Sequence, residues 1–335
     1  MDLGPLRVLV VNAGSETLKL HVVEGGDSRV VPSLEQEVDA VAHRVVHGGA
    51  RFRDPVLVDD EVRNEIERLA PLAPLHNPHA VRGIDEARTA LPDVPHVAVF
   101  DTGFHATVPD EAATYAIPRE WREWGIRRFG FHGLSVQWAA EQVRVPRLVV
   151  CHLGGGCSIT AVRDGRSVDT TMGFTPLEGV PMTTRAGSFD PGAQLYLQRE
   201  RGITVDQLDH ALSFESGISA LAGVRGMHAA EQAGSEDAEL AISVFAYRVA
   251  GAVAAMAVAC GGIDALVFTA GIGENSARVR REICARLSFL GVALDDEANE
   301  RGEGDRAISR GAVAVHVVHA REELVAARAA ERLLE

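Results

Sequence analysis

A short β-branched run at residues 7–11, a turn-rich stretch at 12–17 and alternating apolar and polar positions at 18–23 predict a β-hairpin. The pattern returns later: an apolar run at 148–150, a small-residue turn at 152–158 and a strand at 159–162. Asp164 and Gly165 then supply a two-residue turn into a third strand at 167–171. The repetition predicts a duplicated fold, with a ligand held in the cleft between its halves.

Between the hairpins, a turn at 75–79 leads into a helix over 80–90 and a strand at 97–100. In the second half, Ser235 reads as the N-cap of a helix reaching about Cys260, with Glu236, Asp237 and Glu239 in the first turn, where the helix dipole favours carboxylates. A buried strand at 265–269, a Gly-rich turn at 271–275 and a helix capped by Ser276 and reaching Leu287 follow. Strand, turn and helix N-terminus together predict an anion site. A strand at 312–318 and a helix over 321–334 close the chain.

Composition narrows the class. Of 335 residues, 33 are Lys or Arg and 47 are Asp or Glu, a net charge of −14 that does not suit a nucleic-acid binder. The chain is 46% hydrophobic and only 5% aromatic, with 33 glycines, as an aliphatic α/β enzyme would be. Cys151, Cys157, Cys260 and Cys284 form no CxxC pair and read as buried thiols of a cytoplasmic protein. No signal peptide is visible, and the uncharged run between Arg248 and Asp264 is too short to span a bilayer.

No P-loop and no complete GxGxxG follows a strand, so a phosphate site must be built otherwise. The turns at Gly14-Ser15 and at Gly154, Gly155 and Gly156 let backbone N–H groups approach a phosphate, or serve only as hairpin turns. Arg44, in an apolar strand, needs an anionic partner. Arg185 is a second cation in a small polar loop. Each could sit in a structural ion pair, but together they suit the charge of a phosphoryl transition state. His43 and His47 have helical metal spacing but lie in a strand-like run, which argues against a zinc motif. Asp101 falls at a strand's C-terminal end, where α/β sites gather.

In order along the chain stand VLVVNAGSETLK, HRVVHGG, LAPLHNP, VAVFDTGFH, IRRFGFHG, HLGGGCSI, VDTTMGFTPLEG, TTRAGSFDP, ALVFTAGIGENS and REELVAAR. In these segments the chain resembles the acetate kinase family, within the kinases and ATPases that share a duplicated ribonuclease-H-like fold with actin and the sugar kinases. The resemblance covers nearly the whole chain. It implies Mg²⁺-dependent transfer of the ATP γ-phosphoryl group to acetate, propionate or butyrate.

Carried over residue by residue, the resemblance implies that Arg44 and Arg185 bind the carboxylate and the transferring phosphoryl, and that His132 hydrogen-bonds its oxygens. Asp101 would orient arginine and metal, and Asn12 and Glu322 would organise Mg²⁺. Lys19, His152, Gly154, Gly155, Gly156, Gly271, Ile272, Gly273 and Asn275 match nucleotide-binding positions. Val46, Leu75, Phe131 and Pro176 match a small apolar pocket for the acyl group, or are ordinary core. A homodimer is implied by resemblance alone.

The resemblance also marks departures: Glu16 among the first-loop serines, Gly155 for Asn, Ser188 for Asp, and an altered nucleoside segment at Gly226-Met227-His228. The stretch between Lys19 and Arg44 is short for the family. These leave open a kinase for another small carboxylate, or a protein that binds nucleotide or acyl phosphate without turnover. The expected division is a first domain of residues 1–103 plus 324–335 and a second of 104–323.

Overall fold

The computed structural model describes residues 5–13 and 18–335, so the expectations placed on Gly14, Ser15 and Glu16 lie outside the described residues. Six strands of the first half form one mixed sheet: β1 (Val8–Ala13), β2 (Leu18–Glu24), β3 (Asp27–Val30), β4 (Ala40–Val45), β5 (Val56–Leu57) and β6 (His96–Phe100), in the order β3-β2-β1-β4-β6-β5. A second sheet contains β7 (Arg147–Leu153), β8 (Cys157–Arg163), β9 (Arg166–Thr170), β10 (Ala265–Thr269), β11 (Arg306–Ala307) and β12 (Ala314–Val317). Its order is β11-β12-β10-β7-β8-β9.

Read from its other edge, the second sheet repeats the first strand for strand. Each opens with an antiparallel meander, adds two parallel strands and ends on a short antiparallel edge. This is the duplicated ribonuclease-H-like arrangement of the actin-like ATPases. Register places the chemistry. Asn12 pairs with Arg44 at the C-terminal ends of β1 and β4, and His152 pairs with Thr269 at the corresponding ends of β7 and β10.

The local signals act as their chemistry dictates. Asp164 and Gly165 take φ of 51° and 77°, the left-handed pair that a two-residue hairpin turn requires. Ser235 Oγ accepts from the Ala238 N–H at 3.2 Å and starts the helix Glu236–Cys260 at the expected residue. One face of that helix, including Ala241, Ile242, Phe245, Val249 and Val253, is fully buried and packs against the second sheet. Truncating a side chain such as Phe245 there would cost about 3–5 kcal/mol.

Three expectations need correction. The first hairpin is a three-stranded meander, because Gly25 and Gly26 turn the chain into β3. That strand is largely exposed, so its polar sequence hid it. The stretch 271–275 is a helical turn, Ala270–Asn275, entered through a left-handed Ala270 at φ 64°. The helix around the uncharged run, 25 residues long, is by length and composition apolar enough to cross a membrane, though half of its apolar window is buried in the fold. The uncharged run alone had concealed this, because the helix continues well before Arg248. All four cysteines are buried and unpaired, and burial pushes the Cys157 and Cys284 thiols up to about 12.

Candidate functional site

A cleft of about 750 Å³ runs between the two sheets. Arg44 enters it from the end of β4 and is held at three points. Asp101, following β6, accepts from Nε at 2.9 Å and from Nη2 at 2.7 Å, and Glu322 pairs with Nη1 at 2.6 Å. The Asn12 side-chain oxygen lies 3.4 Å from Nη1. Against the cost of burial, Asp101 and Glu322 raise the guanidinium's pKa. The forked contact also fixes its plane. Glu322 begins the helix Glu322–Leu334, which lies against β1 and β4, so the first sheet and the C-terminal helix packed on it supply the whole cluster.

His132 follows Phe131 in the left-handed region, at φ 60°, just before the helix Gly133–Gln142. The bend is locked from both sides. The Gly133 N–H donates to the Asp101 carbonyl at 2.9 Å, and a Cβ on Gly133 would fall 2.1 Å from that oxygen. His105, held near pKa 4 mainly by burial, bridges the Phe131 carbonyl and the Ser167 hydroxyl, each at 2.9 Å.

The His132 ring stacks on His152 with centroids 4.0 Å apart. Burial, then the neighbouring His152, Arg44 and Arg185, lowers its pKa well below 6.5. Its Nδ1 lies 3.0 Å from Ser158 Oγ. A neutral ring accepting there carries its proton on Nε2, beside the small-residue turn: a Cβ on Gly156 would lie 3.1 Å from Nε2. His152, pushed down to about 3 by burial and Arg44, pairs with Ser135 Oγ at 2.8 Å. Both imidazoles are therefore neutral polar groups at neutral pH.

Arg185 is the contrasting cation. Its Nη1 donates to the Pro176 carbonyl at 2.9 Å and approaches Met182 Sδ at 3.7 Å, and among the described residues no carboxylate pairs with it. Burial lowers its pKa. His76 lines the same cleft and is pushed down to about 3 by burial, Arg185 and Arg44; its Nδ1 is buried with no hydrogen-bond partner among the described residues. A half-buried, uncompensated guanidinium beside neutral imidazoles is a site for an anion from outside.

The structure brings most of the sequence candidates into this cleft: Asn12, Lys19, Arg44, Val46, Asp101, Phe131, His132, His152, Gly154, Gly155, Gly156, Pro176, Arg185, Gly271 and Glu322. Leu75 lines instead a cavity of about 90 Å³ that shares His76, Pro176 and Arg185 with the cleft. Ile272 packs against the second core, Gly273 is buried, and the Asn275 side chain donates back to the Gly271 carbonyl, so these three are not on the cleft wall. His43 pairs with His96 at 2.9 Å and His47 with the Phe174 carbonyl at 3.2 Å, and no group of three His, Cys, Asp or Glu side chains able to hold a metal occurs among the described residues.

Two departures find physical places. A Cβ on Gly155 would touch nothing within 4 Å. Ser188 exchanges hydrogen bonds with Gly179, N to O at 2.8 Å and Oγ from N at 3.2 Å, and so closes a loop rather than entering the cleft.

Sequence reasoning missed His76, Glu274 and His319 on the cleft wall. Glu274 Oε1 accepts from the Ala270 and Ala320 amides at 2.8 and 3.0 Å, and its other oxygen meets His319 at 2.6 Å. A lone acid inside a Gly-rich segment was the available signal. His76 stood in view beside Asn77, whose buried amide exchanges hydrogen bonds with the His47 backbone at 3.1 Å each way.

A sequence model described as the Acetokinase family matches residues 26–328. The chain is 44% identical over 313 residues to an acetate kinase of Protochlamydia amoebophila, covering 90% of this chain and 79% of that one. It is 47% identical over 318 residues to an acetate kinase of Deinococcus deserti, covering 90% and 80%. Among solved structures, a propionate kinase from Francisella tularensis superposes with a TM-score of 0.86 at 34% identity, covering 96% of this chain and 98% of that one. The acetate kinase of Porphyromonas gingivalis gives 0.87 at 31%, covering 98% and 100%.

Proposed function

Because the chain belongs to the acetate kinase family, phosphotransferases with a carboxyl acceptor, we propose that it moves the γ-phosphoryl group of ATP onto a two- to four-carbon carboxylate. The products are an acyl phosphate and ADP, and the reaction is reversible. The observation that carries this reading is Arg185, a half-buried cation with no carboxylate partner among the described residues, facing a cleft in which Arg44 is already neutralised.

In this reading the substrate carboxylate sits on Arg185, and one of its oxygens attacks phosphorus as the bond to the ADP oxygen breaks. The carboxylate is already ionised, so no general base is needed. Alignment and charge neutralisation carry the rate. The His132 Nε2–H donates to the phosphoryl oxygens, and Arg44, held by Asp101, faces the developing charge. Val46, Phe131 and Pro176 bound the acyl group on the cleft side, with Leu75 behind. Lys19, His152 and the Gly154, Gly155 and Gly156 turn receive the phosphates, with Gly271 beside them.

The oxygens of Asn12, Asp101 and Glu322 meet around one guanidinium, a hard donor set that fits Mg²⁺ together with nucleotide phosphates. When bound, Mg²⁺ would offset phosphate charge and polarise the transferring group.

The proposal extends to architecture. Residues 1–103 with 324–335 are taken as one domain and 104–323 as the other, supported by the packing of the last helix on the first sheet. A homodimer is supported by the exposed Tyr247 and Val258 of the helix Glu236–Cys260 and by nearby Phe289. Four free buried thiols fit a cytoplasmic setting.

Hydroxylamine trapping of acyl phosphate with ATP, Mg²⁺ and a panel of acids tests the activity. A signal with acetate, propionate or butyrate is expected. ATP binding without product for any acid would overturn it.

A further inference from the structure

The carbonyl that holds Arg185 belongs to a loop between β9 and the arginine itself, and that loop is clamped from its far side by residues outside the cleft. Glu178 pairs with Arg128 at 2.9 Å and accepts the hydroxyl proton of Tyr115. The same Tyr115 oxygen accepts from the Phe174 N–H at 3.0 Å. Arg128 donates onward to the Thr171 and Met172 carbonyls at 2.9 and 3.2 Å, and its guanidinium lies 5.5 Å from the Tyr115 ring centre.

The clamp occupies all the space beside Gly173. A Cβ there would fall 1.7 Å from Glu178 Oε2 and 2.0 Å from the Tyr115 oxygen. Within this stretch, Phe174 turns its carbonyl to His47 at 3.2 Å and Pro176 turns its carbonyl to Arg185 at 2.9 Å. Among the described residues the inner face of the loop thus supplies the oxygen that accepts from the Arg185 guanidinium, and the outer face is fixed by one acid, one phenol and one arginine.

We propose that Glu178, Tyr115 and Arg128 form a positioning device that sets the depth and angle of Arg185 and thereby the affinity for the carboxylate substrate. The inference rests on the reading of Arg185 as the carboxylate anchor. None of the three residues lines the cleft, so their influence travels through the Pro176 carbonyl. A buried charge–dipole contact depends steeply on geometry, and a displacement of about 1 Å is enough to cost large factors in turnover or binding.

The test compares Tyr115→Phe, Glu178→Gln and Glu178→Ala in the full chain, measuring kcat, the KM of each substrate and the thermal unfolding temperature. Tyr115→Phe and Glu178→Ala should raise the carboxylate KM roughly tenfold and leave the nucleotide KM within about twofold. Glu178→Gln, which keeps an acceptor for Tyr115, should fall between parent and Glu178→Ala. If Glu178→Ala does not fold, Tyr115→Phe decides.

Unchanged constants per folded molecule with a lowered unfolding temperature would reduce the clamp to a structural prop and overturn the proposal. So would an equal rise in both KM values. Arg185→Lys separates this from the underlying reading. If it leaves the carboxylate KM unchanged, the anchor assignment fails; if it raises that KM while Tyr115→Phe does not, only the positioning device fails.

Discussion

Asp101 grips Arg44 through two parallel hydrogen bonds, at 2.9 and 2.7 Å, from a position only 1% exposed. Removing the carboxylate leaves the arginine with Glu322 and Asn12, both at Nη1, and frees its plane to rotate. Asp101→Asn should therefore lower kcat by roughly a hundredfold or more. It should also destabilise the fold by about 3 kcal/mol, since one member of a buried pair is lost. Acyl phosphate assays and denaturant melts of the same preparation check both halves.

Arg185 should behave in the opposite way toward stability. Its charge is half-buried with no carboxylate partner among the described residues, so folding pays for its desolvation without a paired return. Arg185→Met is expected to unfold at the same temperature as the parent or higher, while acyl phosphate formation drops by about a thousandfold. An equal loss of stability and activity would show that the guanidinium is structural.

The last two glycines of the Gly154-Gly155-Gly156 turn differ in what surrounds them. A Cβ on Gly156 would press on His132 Nε2 at 3.1 Å and Cε1 at 3.2 Å, with Arg185 Nη1 at 3.5 Å, whereas Gly155 faces open space. Gly156→Ala should lower kcat roughly tenfold by shifting the imidazole a few tenths of an ångström. Gly155→Asn should leave stability within about 0.5 kcal/mol of the parent. Steady-state kinetics and thermal unfolding of the two variants distinguish these effects.

Acid should unfold the protein early. His43, His76 and His152 are pushed down to about 3, and His47 and His105 to about 4, with burial the largest cause in each. In the unfolded chain they protonate near pH 6.5, so between those values the unfolded state binds more protons. Stability is then complete above about pH 6.5 and falls as pH drops, by up to ~1.4 kcal/mol per pH unit for each histidine. Unfolding temperatures should hold level from about pH 8 to 7 and drop steeply below about pH 6. A level profile down to about pH 4 would refute neutral burial.

Much of this fold was legible because its signals are local. Asp164-Gly165 dictated a hairpin, Ser235 with its acidic first turn dictated a helix start, and the β-branched run at 265–269 could be little else than a buried strand. The edge strand β3 escaped because its residues largely face solvent and are mostly polar, and β5 because two residues are too short to show an alternation. In the site, residue types announced Arg44, Arg185 and Asp101, whereas His132 came from the resemblance. The partner of Arg44 across the chain, Glu322, is set by how the last helix lies on the first sheet, and no local pattern encodes that; its assignment came from resemblance. The same limit hid the turning away of Ile272 and Asn275, since a Gly-rich segment reads alike as a turn or as a helix start. Leu75 shows how packing alone decides which side of His76 and Pro176 a side chain occupies.

The repeated sheets give the cleft the character of a caliper. Arg44 is fastened to one jaw through Asp101 and Glu322, while His132 and Arg185 lean on the other through Ser158 and Pro176. Turning one jaw by a few degrees alters the gap between the two guanidinium groups without breaking a hydrogen bond inside either sheet. Competence for phosphoryl transfer is then an angular property. Substitutions away from the cleft, where the two halves pack on each other, can tune it while every side chain on the cleft wall keeps its own neighbours.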